Sequence, residues 1–66
     1  MEKVILDSSA LKSASYEDGV MVLEFHRGTS YSYNVDESVF RGLVTAESSG
    51  RFFSQHIRKQ FTGKKL

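Results

Sequence analysis

At 66 residues, with 26% charged and 39% hydrophobic side chains, the chain has room for one domain around one small core, and its composition is neither disordered nor fibrous. It contains no Cys, which excludes a disulfide scaffold and a thiolate metal site and points to a reducing, cytoplasmic setting. Net charge is only +1, yet every charged residue from 51 to 66 is a Lys or Arg, and that asymmetry suggests an anionic partner at this end.

Met1-Glu2-Lys3 opens the chain with charge rather than a long apolar stretch, so no secretory signal is expected. Val4-Ile5-Leu6 reads as an edge strand or a packed arm, and Ser8-Ser9 as a turn. Ser13–Glu17 reads as a strand closed by the turn dipeptide Asp18-Gly19. Val20–Phe25 is rich in β-formers and sets Met21, Leu23 and Phe25 on one face. Its Val20–Leu23 core is the longest apolar run, far short of the roughly 18–20 residues that cross a bilayer, so no membrane span is expected. Ser30–Val35 alternates again, with Tyr31, Tyr33 and Val35 on one face and Ser30, Ser32 and Asn34 on the other.

The short connections imply an antiparallel meander, and the turn chemistry fixes its register. His26-Arg27-Gly28 fits a three-residue loop with Gly28 in the left-handed position. Phe25 then faces Thr29, Leu23 faces Tyr31, and Met21 faces Tyr33. A two-residue Arg27-Gly28 loop would flip both tyrosines onto the face of Val22 and Glu24. Arg-Gly lacks the residues that tight primed turns prefer, so the three-residue loop is favoured.

Two helices are expected next. In Asp36–Glu47, Val39, Phe40, Leu43 and Val44 share one helical face. Asn34 or Asp36 is placed to cap the start, and Asp36 and Glu37 suit the positive end of the dipole. Gly42 inside this helix costs about 1 kcal/mol relative to Ala. Ser48-Ser49-Gly50 breaks the chain and offers a hydroxyl cap. Arg51–Phe61 then aligns Phe53, Ile57 and Phe61 in a stripe with Phe52 beside it, and residues 61–66 read as a frayed basic tail. The expected fold is a single α+β domain over 1–66: a three-stranded antiparallel β-meander followed by two α-helices packed on one sheet face.

An ordered set of short motifs runs along the chain. It comprises Ser8-Ser9, Tyr16-Glu17, Leu23-Glu24-Phe25 with Gly28, and Tyr31-Ser32-Tyr33. Ala46-Glu47-Ser48-Ser49-Gly50, Phe52-Phe53 and Ile57-Arg58 complete it. The set, from about residue 5 to residue 61, resembles the KTSC domain, named for a C-terminal extension of lysyl-tRNA synthetase and also free-standing in bacteria and phages. That family often has Pro where this chain has Asp36 and Asn where it has Ser54. The synthetase association is what makes RNA the partner that the resemblance implies.

Three groups of residues carry the candidate chemistry. Tyr31 and Tyr33 could stack bases, worth about 1–3 kcal/mol per base, although the favoured register packs them under the helices. Ser48, Ser49, Gly50 and Arg51 combine free helix-terminal N–H groups, a small residue and a guanidinium, which together suit an anion. Arg58, Lys59, Lys64 and Lys65 extend the positive charge, and Arg51 and Arg58 are expected on nearly one side of a helix, about 10 Å apart. His56 shares this helix; it and His26 read as isolated surface side chains, with no metal spacing between them. Asp36 and Glu37 diverge around a helix and form no acid–base pair, and no nucleophile elbow is present. The expectation is a non-catalytic module, without metal or cofactor, that binds an anionic ligand through its basic C-terminal helix, RNA first and a nucleotide second. The rival expectation is a protein-interaction or phage accessory module.

Overall fold

The computed structural model describes residues 2–66. The described residues form a five-stranded antiparallel sheet, not a three-stranded one, with strands in chain order: β1 (Glu2–Ile5), β2 (Leu11–Glu17), β3 (Val20–Phe25), β4 (Ser30–Asn34) and β5 (Lys64–Lys65). Two helical segments lie between β4 and β5. The first is α1 (Glu37–Thr45); the second, α2 (Ser49–Phe52), runs on into a π-helical turn at Phe53–Ile57. Both cover the same face of the sheet.

The hairpins follow from their turns. Asp18 and Gly19 both adopt positive φ (51° and 79°), as a two-residue primed turn requires. His26-Arg27-Gly28 forms the expected three-residue loop. The Phe25 and Gly28 amides donate to the Thr29 and Phe25 carbonyls at 2.9 and 3.0 Å, and Gly28 has φ 96°. Met21 therefore pairs with Tyr33 and Leu23 with Tyr31. Both tyrosines lie on the helix-covered face.

The register of β2 shifts between Leu11 and Ser13. The extra residue, Lys12, lets Leu11 and Ala14 both reach the core with no exposed surface, although strict alternation would send them to opposite faces. The core also holds Leu6, Met21, Leu23, Phe40, Leu43 and Ile57. Phe53 is half-buried against it. On the other, uncovered face, Ser13 is enclosed and donates to the Glu24 carboxylate at 3.1 Å.

The start of the first helix departs from the sequence expectation, and the start of the second follows it. Asp36 occupies the N-cap position of α1, but its side chain makes no capping bond; the Val39 and Phe40 amides reach its carbonyl instead. Gly42 gives up helix propensity for a close approach: a Cβ there would lie 2.8 Å from the Phe52 ring. Ser48 caps α2 by accepting from the Arg51 amide at 3.3 Å. Buried Ser49 donates to the Leu43 carbonyl at 3.2 Å, tying the second helix to the end of the first. Arg41 forks onto Glu2 (2.9 and 3.0 Å) and reaches Glu37 (3.1 Å), clipping β1 to α1.

The C-terminal tail is not frayed. Phe61 packs on the core, Lys64 and Lys65 pair with Ser32 and Tyr31, and the Leu66 amide donates to the Ser30 carbonyl at 2.9 Å. Gly63 lies so close to Tyr33 that a Cβ would sit 2.6 Å from its ring. A run of Gly-Lys-Lys has little strand propensity; pairing with the open edge of β4 and the fit of Gly63 against Tyr33 hold it in place.

Candidate functional site

The helices do not seal the sheet face evenly. Between the π-helical turn, the β3–β4 loop and the Ser9-Ala10 segment lies an open cleft of about 630 Å³. Its aromatic walls come from the register already described: Phe25, Tyr31 and Tyr33 from adjacent strands and Phe53 from the helix. The rings meet edge to face, Phe25 with Tyr31 at 5.8 Å, Phe25 with Phe53 at 5.6 Å, and Tyr33 with Phe53 at 6.0 Å. This geometry locks them together; Phe25, Tyr31 and Phe53 are half-buried along the opening, whereas Tyr33 belongs to the core and is 6% exposed.

Two guanidiniums complete the cleft, and among the described residues no carboxylate lines it. Arg27, at the tip of the hairpin, lies over the Phe25 ring at 5.7 Å, a cation–π arrangement. Arg58 follows the π-helical turn. Its amide donates to the Phe53 carbonyl at 2.9 Å, five residues back, and this wider turn brings its side chain into the cleft. Burial, and then the neighbouring Tyr31, push the Tyr33 hydroxyl above the ordinary tyrosine value, while Arg58 pulls it down. At neutral pH Tyr33 is therefore an uncharged hydroxyl.

His26 anchors the rim. Its Nε2–H donates to the Ser8 carbonyl at 2.8 Å, and its backbone amide donates to the Ala10 carbonyl at 3.1 Å. The Ser8 hydroxyl accepts from the Ala10 and Leu11 amides at 3.2 and 3.3 Å. The expected Ser8-Ser9 turn is thus held by hydrogen bonds at Ser8, and Ser9 lines the cleft.

The residues singled out in the sequence divide among several surfaces. Tyr31, Tyr33, Gly50 and Arg58 meet in the aromatic cleft. Arg51 does not join them. It lines two neighbouring depressions, one with Ser48, Phe52, Gln55 and His56, the other with Asp7 and Glu47. The π-helical turn, not expected from the sequence, takes Arg51 and Arg58 out of the alignment a regular helix would give. His56 packs its ring on Phe52 at 4.7 Å, and Lys59 is exposed. Ser48 and Ser49 spend their hydroxyls on the Arg51 amide and the Leu43 carbonyl. Lys64 and Lys65 sit on β5, and Lys65 shares the Tyr31 face as its cross-strand partner.

Phe25, Arg27 and Phe53 complete the cleft, and the sequence reading did not assign them to it. The signal for Phe25 and Arg27 was present in the same hairpin argument, since the loop that turns Tyr31 inward also brings Phe25 beside it and leaves Arg27 at the tip. Among the described residues, no group of His, Asp or Glu is placed to hold a metal ion, and no helix is long and apolar enough to cross a membrane.

Comparison with known proteins agrees with this architecture. The family model of the KTSC domain matches residues 7–61. An uncharacterized protein of Stutzerimonas stutzeri is 38% identical over 63 residues, spanning 91% of this chain and 89% of its own. A protein of Tsukamurella paurometabola is 36% identical over 59 residues, spanning 85% and 88%. The crystal structure of a KTSC domain protein from Yersinia pestis superposes with a TM-score of 0.87 at 29% identity, covering 98% of this chain and 96% of that one.

Proposed function

The chain belongs to the KTSC domain family, and from its cleft we propose that it is a small non-catalytic binding module for an anionic, ring-bearing ligand, with single-stranded RNA first and a nucleotide second. One observation carries this reading: four aromatic rings and two guanidiniums converge on one open cleft with no carboxylate in its lining. Ring faces take a base, guanidiniums take phosphate oxygens in bidentate fashion, and a neutral Tyr33 hydroxyl can donate or accept at the base edge. The binding surface differs from a simple basic helix. Arg58 and Arg27 hold the phosphate, and Arg51 lies outside the cleft.

A fluorescence-anisotropy titration with labelled single-stranded RNA, at low and at physiological salt, tests the proposal. Binding should weaken with salt at a log–log slope of about −0.7 per phosphate contact. Reversing both cations, Arg27→Glu with Arg58→Glu, should abolish it and leave the fold intact, because both side chains are exposed. No binding at low salt, or equal binding by the reversed variant, overturns it. A protein-interaction module is the second reading, favoured by Ile5, 72% exposed on the uncovered sheet face; binding through that face would be far less sensitive to salt.

A further inference from the structure

We infer that the cleft receives the end of an RNA strand, or a free mononucleotide, and rejects an internal stretch of a polynucleotide; the inference rests on the reading of the cleft given above. The aromatic cleft is not a closed bowl. It continues past Ser9, Ala10, Gly50 and Ser54, which line both it and the neighbouring depression of about 530 Å³. No side chain at this waist is larger than serine, so shape alone would let an extended strand pass.

Charge closes what shape leaves open. The cleft side of the waist holds Arg27 and Arg58 and no carboxylate. The far side holds Asp7 and Glu47 against the single guanidinium of Arg51. A strand threaded through would bring its next phosphate across this shared waist from a cationic to a net acidic surface, and exposed charges act over about 8 Å at physiological salt. In the opposite direction the positive charge continues. Lys65 is the cross-strand partner of Tyr31 and shares its face, so a strand can lie across β5 with a phosphate near Lys65 and its last base among the rings. The track is one-ended: open at β5, stopped at Gly50 and Ser54. It also gives separate roles to cations that look equivalent in the sequence. Lys65 meets the incoming strand, Arg58 and Arg27 meet its final phosphate, and Arg51 offsets the carboxylates beyond.

The test compares a linear uridine-rich RNA with a covalently circularised RNA of the same sequence, by anisotropy at low salt, with uridine monophosphate as competitor. The linear strand should bind about tenfold more tightly than the circle, and the mononucleotide should displace it. The double variant Asp7→Asn with Glu47→Gln should strengthen binding of the circle several-fold, and by more than it strengthens binding of the linear strand or the mononucleotide. Equal binding of linear and circular RNA by the unaltered protein overturns the end preference while the RNA reading stands. An unchanged circle affinity in the double variant overturns the role of the carboxylates. If neither RNA nor mononucleotide binds, the reading of the cleft falls, and this inference with it.

Discussion

At the α1 end of the covered sheet face, Tyr16 stacks on Phe40 with ring centroids 5.3 Å apart and planes 22° from parallel. Its hydroxyl donates to the Val35 carbonyl at 3.0 Å, and Phe40 has no exposed surface. At the other end, Tyr31 and Tyr33 meet Phe25 and Phe53 edge to face, and the same kinds of side chain line an open cleft. The parts match: tyrosines on strands beneath a phenylalanine on a helix. The helices differ. α1 is regular and presses its apolar stripe flat on the sheet, whereas the second helix widens into a π turn at Phe53–Ile57 and holds Phe53 only half-buried. Tyr33 is buried and Tyr16 only half-buried, so the tyrosines do not set the contrast; the helix above decides whether its phenylalanine is sealed in the core or left half-exposed in the wall of a cleft.

The largest test of that contrast removes the two phenylalanines in turn. Phe40→Ala should cost about 3–5 kcal/mol, comparable to the roughly 3–5 kcal/mol that one small core supplies, so the variant should be largely unfolded by circular dichroism. Phe53→Ala should cost roughly half as much, since less of its surface leaves water on folding, and should retain a cooperative denaturation curve. Equal losses would make the open end as structural as the closed one.

Substitutions at two glycines come next. Gly28→Ala should cost about 1–2 kcal/mol in urea denaturation, because Ala dislikes positive φ. Loss of that turn would free Tyr31 and Tyr33 from their register. Gly63→Ala should cost about 1 kcal/mol through overpacking on Tyr33, with increased amide exchange at Lys65 and Leu66 as the tail lifts. A Gly63 variant with unchanged exchange would separate the tail from the cleft wall.

The smallest effect is a pH dependence confined to the open end. Tyr33 titrates above the ordinary tyrosine value of 10.0, chiefly through burial. The native state therefore holds a proton that the unfolded chain releases first, and stability declines as pH rises from that value through the folded one. Tyr33→Phe should flatten this alkaline decline relative to the parent and leave stability near pH 7 little changed. Identical alkaline profiles would mean that the Tyr33 hydroxyl is as free as in the unfolded chain.

Much of this arrangement is legible in the sequence, and the reasons are local. The choice between a two- and a three-residue loop at His26-Arg27-Gly28 settles the face of both tyrosines, because one residue of slip would invert every side chain. The apolar spacing of Val39, Phe40, Leu43 and Val44 is enough to place α1. The features that escape are set by tertiary fit. Nothing in Gly63-Lys64-Lys65 marks a strand; β5 exists because β4 offers it an edge. The bulge at Lys12 has no Gly to announce it. The π turn escapes because Phe53, Ile57 and Phe61 also satisfy a regular helical period. That last ambiguity separates Arg58 from Arg51, and so divides the cations of the expected basic helix between two surfaces.

The strand order β1-β2-β3-β4-β5 also bears on how the chain reaches this state. The first three pairings join neighbours across short connections, whereas β5 pairs only after both helices have intervened. Chains dominated by local pairings fold fast, since little loop entropy is lost before contacts form. The β2–β3–β4 hairpins are therefore expected to assemble in the transition state, with β5 added late. Gly28→Ala should then act mainly by slowing folding, whereas Gly63→Ala should act mainly by speeding unfolding. The Lys65 side of the cleft would be the last part of the molecule to form and the first to open.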